Sequence, residues 1–537
     1  MLRVNLPIKH LAITALIALI SLEILGVSPN FWSDSFVWDN EKLIAFDHLR
    51  LILDGAELVE INLARIPSLF PDYLVALLTQ PLSQDINTQY TFFVFTSSFL
   101  QVVLSASIVR RITSASMLSI LLIFSLFVTI TSSISPDWSS NISLSLVPVN
   151  HGGNALALLL SLLLILTHIG TPKGTKSSLL LLLISATFTL AAISNKIFLI
   201  QASIPSIAVL VILQAQKRRT NPSRLPLLTF SISISSAIGY LLSTKLRSGC
   251  NPPIHFDGEF LIRLLADHLK FSSNPTHIGL GILIISSLIA IWVTPFADRK
   301  DPAIKFFKVF ASLSITSSII LAAYISQNSG SLAANSRYLL STILLSGIGL
   351  LSLLIQLIKN ASLVIWPKGR VIANIALAMT IILTALPIAT KGIQSLKAIR
   401  SWENPYSEFI RANIPSGASL LTMYEGDHYL SSRSLKAGTN WEIHVSQIAS
   451  NGEPNPWDQG KSEFYSDQKT KQIRDYQAII LKDSDASQAI SWYGKPIQIE
   501  RHPELAVQLW IYGKEGVDSI KGRIKTPLKY GFKVECS

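Results

Sequence analysis

Residues 153–219 read GNALALLLSLLLILTHIGTPKGTKSSLLLLLISATFTLAAISNKIFLIQASIPSIAVLVILQAQKRR, and this stretch decides the fold class. It holds three apolar runs, near residues 153–168, 177–194 and 197–214, separated by short polar connections. Each run has close to the ~20 residues that cross ~30 Å of hydrocarbon. A run that is apolar on every face has no side to present to water, so its solvent is lipid. The stretch therefore predicts three consecutive transmembrane helices.

Runs of the same kind recur through the first 390 residues of this 537-residue chain. They lie near residues 9–27, 91–109, 115–134, 226–243, 277–296, 306–325, 338–357 and 371–390. Hydrophobic residues make up 49% of the chain and charged residues only 15%, whereas soluble proteins carry about 25% charged residues. We therefore predict a polytopic α-helical membrane protein with about eleven transmembrane helices.

Basic residues occupy every second connection between the runs. They are Arg3 and Lys9; Arg110 and Arg111; Lys173 and Lys176; Lys217, Arg218, Arg219 and Arg224; Arg299, Lys300, Lys305 and Lys308; Lys359, Lys368 and Arg370. By the positive-inside rule this alternation predicts a plasma (inner) membrane protein with a cytoplasmic N-terminus. It also accounts for the net charge of +12 without nucleic acid as a partner. The first run could be a cleaved signal peptide, but Glu23 within it favours a retained helix.

The predicted organisation has two parts. Residues 1–390 form the transmembrane domain, with a long outer first loop at 28–90, and residues 391–537 form a small α/β domain on the extracytoplasmic side. The composition changes after residue 391, where charged, aromatic and turn residues increase. The second part is predicted to contain helices at 402–413 and 484–492 and strands at 419–423, 478–481, 496–501 and 506–512.

The first outer loop opens with an acidic cluster in FWSDSFVWDNEKL (residues 31–43), which holds Asp34, Asp39 and Glu41, with Asp47 shortly after. Carboxylates beside a membrane can act as a general base, bind a metal ion or hold an acceptor hydroxyl. The alternative is that they are solvated loop charges. The apolar pattern from Leu43 to Leu53 predicts an amphipathic helix lying at the interface.

The tryptophans of this segment allow two interpretations. Trp32 and Trp38 lie among further aromatic residues close to the acidic cluster. They could form an interfacial aromatic belt or a wall on which a sugar stacks.

Three basic residues on the predicted outer side are candidate phosphate ligands. His151 stands in VNHGGNA, Lys196 in the tight turn between two apolar runs, and Arg337 precedes Tyr338 in AANSRYLLS. Ammonium and guanidinium groups bind phosphate oxygens, and charges at membrane depth are functional candidates. A plain helix start at His151 and a snorkelling side chain at Lys196 are the alternatives.

Further candidates carry weaker signals. Arg65 and Asp72 in ARIPSLFPDYL either contact an acceptor or form a structural elbow at the two prolines. Asp427 and His428 are better explained by a surface turn. Cys250 and Cys536 could form one disulfide on the outer side, although two unrelated thiols are favoured.

These features together resemble the GT-C superfamily of membrane glycosyltransferases, which includes protein O-mannosyltransferases and aminoarabinose transferases. Asp39-Asn40-Glu41 resembles the Asp-Glu pair of that superfamily, Arg337-Tyr338 resembles its Arg-Tyr, and FIRANIPSGASLLTMYEGDHYL (residues 409–430) resembles the start of its soluble outer domains. Two departures are Asn40, which splits the acidic pair, and the LFPD sequence at 69–72, which stands where the superfamily has His-Pro-Pro.

The resemblance implies an inverting membrane glycosyltransferase that moves a sugar from a polyprenyl-phosphate donor to a glycan, lipid or protein acceptor. Asp39 would be the base, with Asp34 as its competitor, and Lys196 or Arg337, together with His151, would hold the donor phosphate. Some members use a divalent metal ion, which Asp34 and Asp39 could share. Neither the sugar nor the acceptor nor the oligomeric state is indicated.

Two other function classes stay open. A transporter or flippase of a lipid-linked glycan would predict inverted repeats and helices broken at mid-membrane, but the sequence shows no repeat and Pro205 is its one clear mid-helix proline. A non-catalytic envelope assembly protein would not need the acidic cluster.

Overall fold

The computed structural model describes residues 5–33, 38, 42–53, 55, 69–134, 143, 145–146, 152–172, 174–217, 225–246, 275–294, 301–329, 338–364, 370–423, 428–448, 452–454, 467, 470 and 472–530. Several predicted residues lie outside these ranges: Asp34, Asp39, Glu41, Arg65, His151, Arg337, Asp427, Cys250 and Cys536.

Long apolar helices dominate the chain, because lipid leaves the backbone no hydrogen-bond partners other than its own. The helices before the first strand are α1 Asn5–Gly26, α2 Ile44–Leu53, α3 Leu74–Thr79, α4 Ile86–Thr113, α5 Met117–Ile134, α6 Gly152–Gly170, α7 Thr175–Ser194, α8 (Lys196–Phe198, the π-helical Leu199–Ser203 and Ile204–Lys217), α9 Leu225–Leu246, α10 Pro275–Val293, α11 Pro302–Ser329, α12 Leu340–Val364, α13 Arg370–Arg400 and α14 Ser407–Asn413.

Seven helices of the described residues are long and apolar enough to cross a membrane: α4, α6, α7, α8, α9, α11 and α12. Shorter apolar helices lie at His10–Gly26, Met117–Thr131 and Ile284–Val293. The chain is thus a polytopic membrane protein, while the count of eleven crossings stays a prediction. Helix α13 contains Pro387, a second mid-helix proline besides Pro205.

The helices define two ends of a bundle. The sheet end is where α1 ends, α4 and α6 begin, and α13 leads into the strands. At the opposite end, Arg111 in the last turn of α4 pairs with Asp301 before α11, at 3.2 Å. Arg111, one of the basic residues that predicted the sidedness, therefore lies at the end of the bundle remote from the sheet.

Helices α1 and α13 pack against each other at two glycines. A Cβ atom at Gly26 would lie 1.9 Å from the carbonyl oxygen of Ile388, and one at Gly392 would lie 2.0 Å from that of Leu22. Close backbone approach at small residues is how membrane helices gain packing energy, since lipid gives no hydrophobic drive between them. This contact fixes α13, and with it the chain that continues into the sheet.

The C-terminal part holds a five-stranded sheet of order β2-β1-β3-β5-β4. Its strands are β1 Ser419–Met423, β2 His444–Ile448, β3 Tyr476–Lys482, β4 Gln498–His502 and β5 Val507–Ile511; its further helices are α15 Ser432–Gly438, α16 Ala486–Tyr493 and α17 Lys514–Tyr530. β1 pairs in parallel with β2 and β3, and β5 pairs antiparallel with β3 and β4. We call residues 402–530 the sheet unit.

Helix α2 of the first loop, which the sequence predicted to lie at the membrane interface, has most of its residues buried within the protein. Phe46 and Leu49 belong to the core of the helix bundle, whereas Leu51 lies in the apolar core of the sheet unit with Leu421 and Ile479. One ten-residue helix thus joins the two cores. The predicted helix is present, and its apolar residues contact two protein cores while Arg50 stays exposed.

Candidate functional site

Described residues within and beside the predicted acidic cluster are buried at the sheet end. Trp38 is fully buried and Lys42 is 2% exposed. The ring of Trp38 stacks on Trp402, with centroids 4.0 Å apart and planes at 9°, and also contacts Tyr90 of α4. Trp32 is equally buried and donates its indole N–H to the carbonyl oxygen of Leu25 at 3.0 Å.

The burial of both tryptophans contradicts the two interpretations that place them at a surface. A ring with no exposed area is neither an interfacial belt nor a wall on which a sugar stacks. Trp32 links the loop to the end of α1 by a hydrogen bond. Trp38 links it by ring stacking to Trp402, the first residue of the sheet unit. Trp32, before Asp34, and Trp38, before Asp39, are therefore both held by packing within the protein.

Asp47 forms a buried charge cluster with the sheet unit. Its Oδ2 accepts from Nε of Arg433 and its Oδ1 from Nζ of Lys436, both at 2.9 Å. All three side chains are at most 3% exposed. Burial alone would raise the pKa of Asp47, but the Lys436 ammonium and the Arg433 guanidinium lower it to about 2. Asp47 is thus an ionised carboxylate fixed by two cations, not a solvated loop charge.

His48, the next residue of α2, forms a neutral pair with Tyr73. Its Nδ1 is hydrogen-bonded to the Tyr73 hydroxyl. Burial, and then the charge of Arg433, lower the pKa of His48 to about 3, while burial raises the pKa of Tyr73. Neither group is charged at neutral pH, so this contact joins α2 to the turn before α3 by a neutral hydrogen bond.

Asp72 lies against the beginning of α6. A Cβ atom at Gly153 would meet both Asp72 carboxylate oxygens, at 2.6 and 2.7 Å, so only glycine allows this approach. Asp72 is 2% exposed, and within the described part of the chain its Oδ2 has no hydrogen-bond partner. Burial raises the pKa of Asp72 well above its usual range, which favours the protonated carboxyl.

The turn that carries Asp72 is also tied to α7. The backbone N–H of Phe70 donates to Oγ of Ser194 at 2.7 Å. Asp72 therefore stands between the first residues of α6 and the last residue of α7. The structure therefore places a buried acidic group in the turn that the sequence interpreted as an elbow or an acceptor contact.

Lys196 begins α8 directly after the cap residue Asn195, whose side-chain oxygen accepts from the N–H of Ile197 at 2.9 Å. The Lys196 ammonium lies 5.6 Å from the centre of the Tyr240 ring, a distance at which cation and ring attract. The start of a helix presents unpaired N–H groups and partial positive charge. Lys196 thus adds a full charge to an end that already favours anions.

Gln201, five residues further on, is the centre of a buried polar network that the sequence analysis missed. Its Oε1 accepts from Asn154 Nδ2 at 2.5 Å and from Ser341 Oγ at 2.8 Å, and its Nε2 donates to the carbonyl oxygen of Tyr338 at 2.9 Å. It therefore joins the starts of α6, α8 and α12. Through this network, α8, which begins at Lys196, contacts Tyr338, the residue after Arg337.

A sequence signal for this network existed. Asn154 lies in the VNHGGNA segment and Gln201 interrupts an apolar run, and polar side chains inside membrane helices are rare and functional by default. Arg433 and Lys436 gave no such signal, because charged residues are ordinary in a part of the chain that the sequence predicts to be soluble. Of the described residues, no group of three or more His, Cys, Asp and Glu side chains is placed to hold a metal ion; Asp34 and Asp39 lie outside them.

Comparisons with known proteins indicate the fold class. No protein-family model matches the chain, and no curated protein sequence does. The fold is similar to the crystal structure of apo ArnT from Cupriavidus metallidurans, with a TM-score of 0.51 and 11% identity over 91% of this chain and 96% of that chain. It is also similar to the structure of the same ArnT bound to undecaprenyl phosphate, with a TM-score of 0.51 and 11% identity over 96% and 99% of the two chains. The chain therefore has a fold similar to that of this ArnT.

Proposed function

We propose that this protein is a membrane glycosyltransferase that moves a sugar from a polyprenyl-phosphate donor to an acceptor on the outer side of the membrane. The observation that carries the proposal is that three polar side chains lie at the same end of the helix bundle. Lys196, Gln201 and Asp72 lie where α6, α7, α8 and α12 meet the sheet end, next to the first loop. The likeness to ArnT over most of both chains supports it, and that relative binds undecaprenyl phosphate.

The donor phosphate is proposed to lie at the start of α8. A phosphate there would meet the Lys196 ammonium and the first N–H groups of the helix. Arg337, directly before Tyr338, would add a bidentate donor, and His151, which precedes the first turn of α6, a further contact. These cations would stabilise the negative charge that builds on the departing lipid phosphate.

The acidic cluster is proposed to supply the base. Asp39 or Asp34 would accept the proton of the acceptor hydroxyl as its oxygen attacks the anomeric carbon from the face opposite the phosphate. The new glycosidic bond forms as the bond to the phosphate oxygen breaks, which inverts the anomeric configuration. Buried Trp38 would limit the motion of this segment, because a base works only when it is held within reach of its proton.

Asp72 and Glu41 have supporting roles in this proposal. Asp72, favoured in its protonated form, would serve as a hydrogen-bond donor or as the anchor of the loop. Glu41 would orient the acceptor. The sugar and the acceptor stay open, and so does a divalent ion shared by Asp34 and Asp39.

Binding of the lipid carrier tests the donor part of this proposal. The purified full chain in lipid nanodiscs would be titrated with undecaprenyl phosphate, and the same titration repeated with Lys196→Ala and Lys308→Ala. Lys308 is a matched control, since its ammonium also lies over an aromatic ring, 6.0 Å from Trp292, but at the opposite end.

We expect Lys196→Ala to weaken binding by about tenfold, the effect of losing one charge-assisted contact worth roughly 1.5 kcal/mol. Lys308→Ala should bind like the wild type. Equal affinity in all three proteins would remove Lys196 from the donor site, and no binding by the wild type would contradict a polyprenyl-phosphate donor.

A further inference from the structure

We infer that the sheet unit positions the candidate active site through helix α2, and that the buried contact of Asp47 with Arg433 and Lys436 holds this helix in place. The inference rests on the proposed function, because that proposal defines the active site that α2 would position. It concerns residues that touch neither donor nor acceptor in that proposal, so they are positioning residues.

The apolar packing of α2 places it between two bodies. Leu43, Ile44 and Phe46 are buried in the core of the helix bundle, and Leu51 is 5% exposed in the core of the sheet unit. A helix inserted into both cores cannot shift relative to one without losing contacts with the other. The sheet unit therefore constrains the first loop sterically.

The charges give this packing a defined register. Each carboxylate oxygen of Asp47 receives one hydrogen bond from a different residue of α15, at 2.9 Å in both cases. Displacing α2 by a few ångströms would separate these partners, whose side chains are at most 3% exposed. A buried ion that loses its partner is costly, so the pairing opposes sliding and rotation that apolar contacts alone would tolerate.

The constraint passes from Asp47 to the bundle through consecutive residues. His48 is hydrogen-bonded to the Tyr73 hydroxyl, and Tyr73 follows Asp72, whose carboxyl rests on Gly153. In the same turn, the N–H of Phe70 donates to Ser194, two residues before Lys196. A movement of α2 therefore displaces the turn that borders the starts of α6 and α8.

The test measures backbone hydrogen exchange and lipid binding in the full-length protein in nanodiscs. Asp47→Asn removes the charge that both cations share. Asp475→Asn is the matched control, because Asp475 also pairs with a lysine of the sheet unit, Lys521 at 2.8 Å, but at an exposed position. Protection is read in residues 44–53 and 69–79, and affinity is read with undecaprenyl phosphate.

For Asp47→Asn we expect protection to fall by about tenfold or more in both segments, and undecaprenyl phosphate affinity to fall with it. Asp475→Asn should match the wild type in every readout. Loss of protection in 44–53 alone, with residues 69–79 and lipid affinity unchanged, would overturn the inference and leave Asp47 a local structural contact.

A second variant keeps the test decisive if Asp47→Asn does not fold. Leu51→Ala loosens the same helix without leaving a buried charge, and it should lower protection in both segments; protection of 69–79 at the wild-type level would overturn the inference. Failure of the proposed function would look different. The wild type would not bind undecaprenyl phosphate, while the exchange of residues 69–79 would still report the coupling.

Discussion

Replacing Gly392 by alanine should loosen the contact between α1 and α13. The new Cβ atom would lie 2.0 Å from the carbonyl oxygen of Leu22, whereas ordinary contact begins at 3.4 Å. The helices would have to separate by roughly 1.4 Å. Both the added atom and the atom it meets are fixed to helical backbone, so no side-chain rotation relieves the clash.

The magnitude follows from two opposing effects. Overpacking costs about 1–3 kcal/mol, and a backbone clash belongs at the upper end, near ~3 kcal/mol. Alanine gains up to about 1 kcal/mol over glycine in helix propensity. The matched control is Gly347→Ala in α12, where the Cβ would lie 3.6 Å from Cε1 of Phe127. Since the propensity gain is common to both variants, their difference isolates the clash at about 3 kcal/mol.

The assay is equilibrium unfolding in mixed micelles with increasing SDS, followed by tryptophan fluorescence. We expect Gly392→Ala to unfold at a clearly lower SDS fraction than Gly347→Ala, which should equal or exceed the wild type. If the two variants unfold together, α1 and α13 are not in the close contact on which this reasoning depends.

Two further predictions concern the polar contacts. Gln201→Leu should destabilise the protein by about 2 kcal/mol, because it leaves buried donors on Asn154 and Ser341 without their acceptor; the same SDS titration checks this, and an unchanged midpoint would contradict the network. His48 is neutral with a pKa of about 3, below its ordinary 6.5, so its contribution is complete above about pH 6.5 and is lost as pH falls towards 3. Exchange protection of residues 44–53 should therefore drop by about 1.4 kcal/mol per pH unit between pH 6.5 and 4.5, and His48→Gln should flatten this slope; equal slopes in both proteins would refute the assignment.

The sequence predicted those parts of the fold whose signal is local. The strand at Ser419–Met423 was found because Leu420, Leu421 and Met423 form a short, mostly apolar segment between turn residues. The strand His444–Ile448 was missed, since HVSQI has polar residues where a buried strand should be apolar. In the fold the polar residue Ser446 is fully buried and hydrogen-bonded to the Tyr476 hydroxyl at 2.7 Å.

In the candidate site, too, the sequence identified residues with a local signal and missed roles that depend on distant partners. Lys196 could be identified because a charge between two apolar runs stands out. The role of Asp47 could not, because Arg433 lies 386 residues away in the chain and only the folded chain brings them together. Whether a carboxylate is solvated or buried depends on that partner, so the acidic cluster could be located from sequence but its members could not be assigned separately.

The most direct test of the proposed function is whether the chain changes cell-envelope sugars through its acidic cluster. A host lacking the protein would express the wild type, Asp39→Asn, Asp34→Asn or the exposed control Asp475→Asn at equal membrane levels, and mass spectrometry would profile its envelope glycans and lipid-linked sugars. We predict that one sugar modification returns with the wild type and Asp475→Asn but is reduced at least about 100-fold with one of the other two variants, as expected on loss of a general base. If all four proteins restore the same profile, the cluster does not supply a base and the glycosyltransferase mechanism proposed here is wrong.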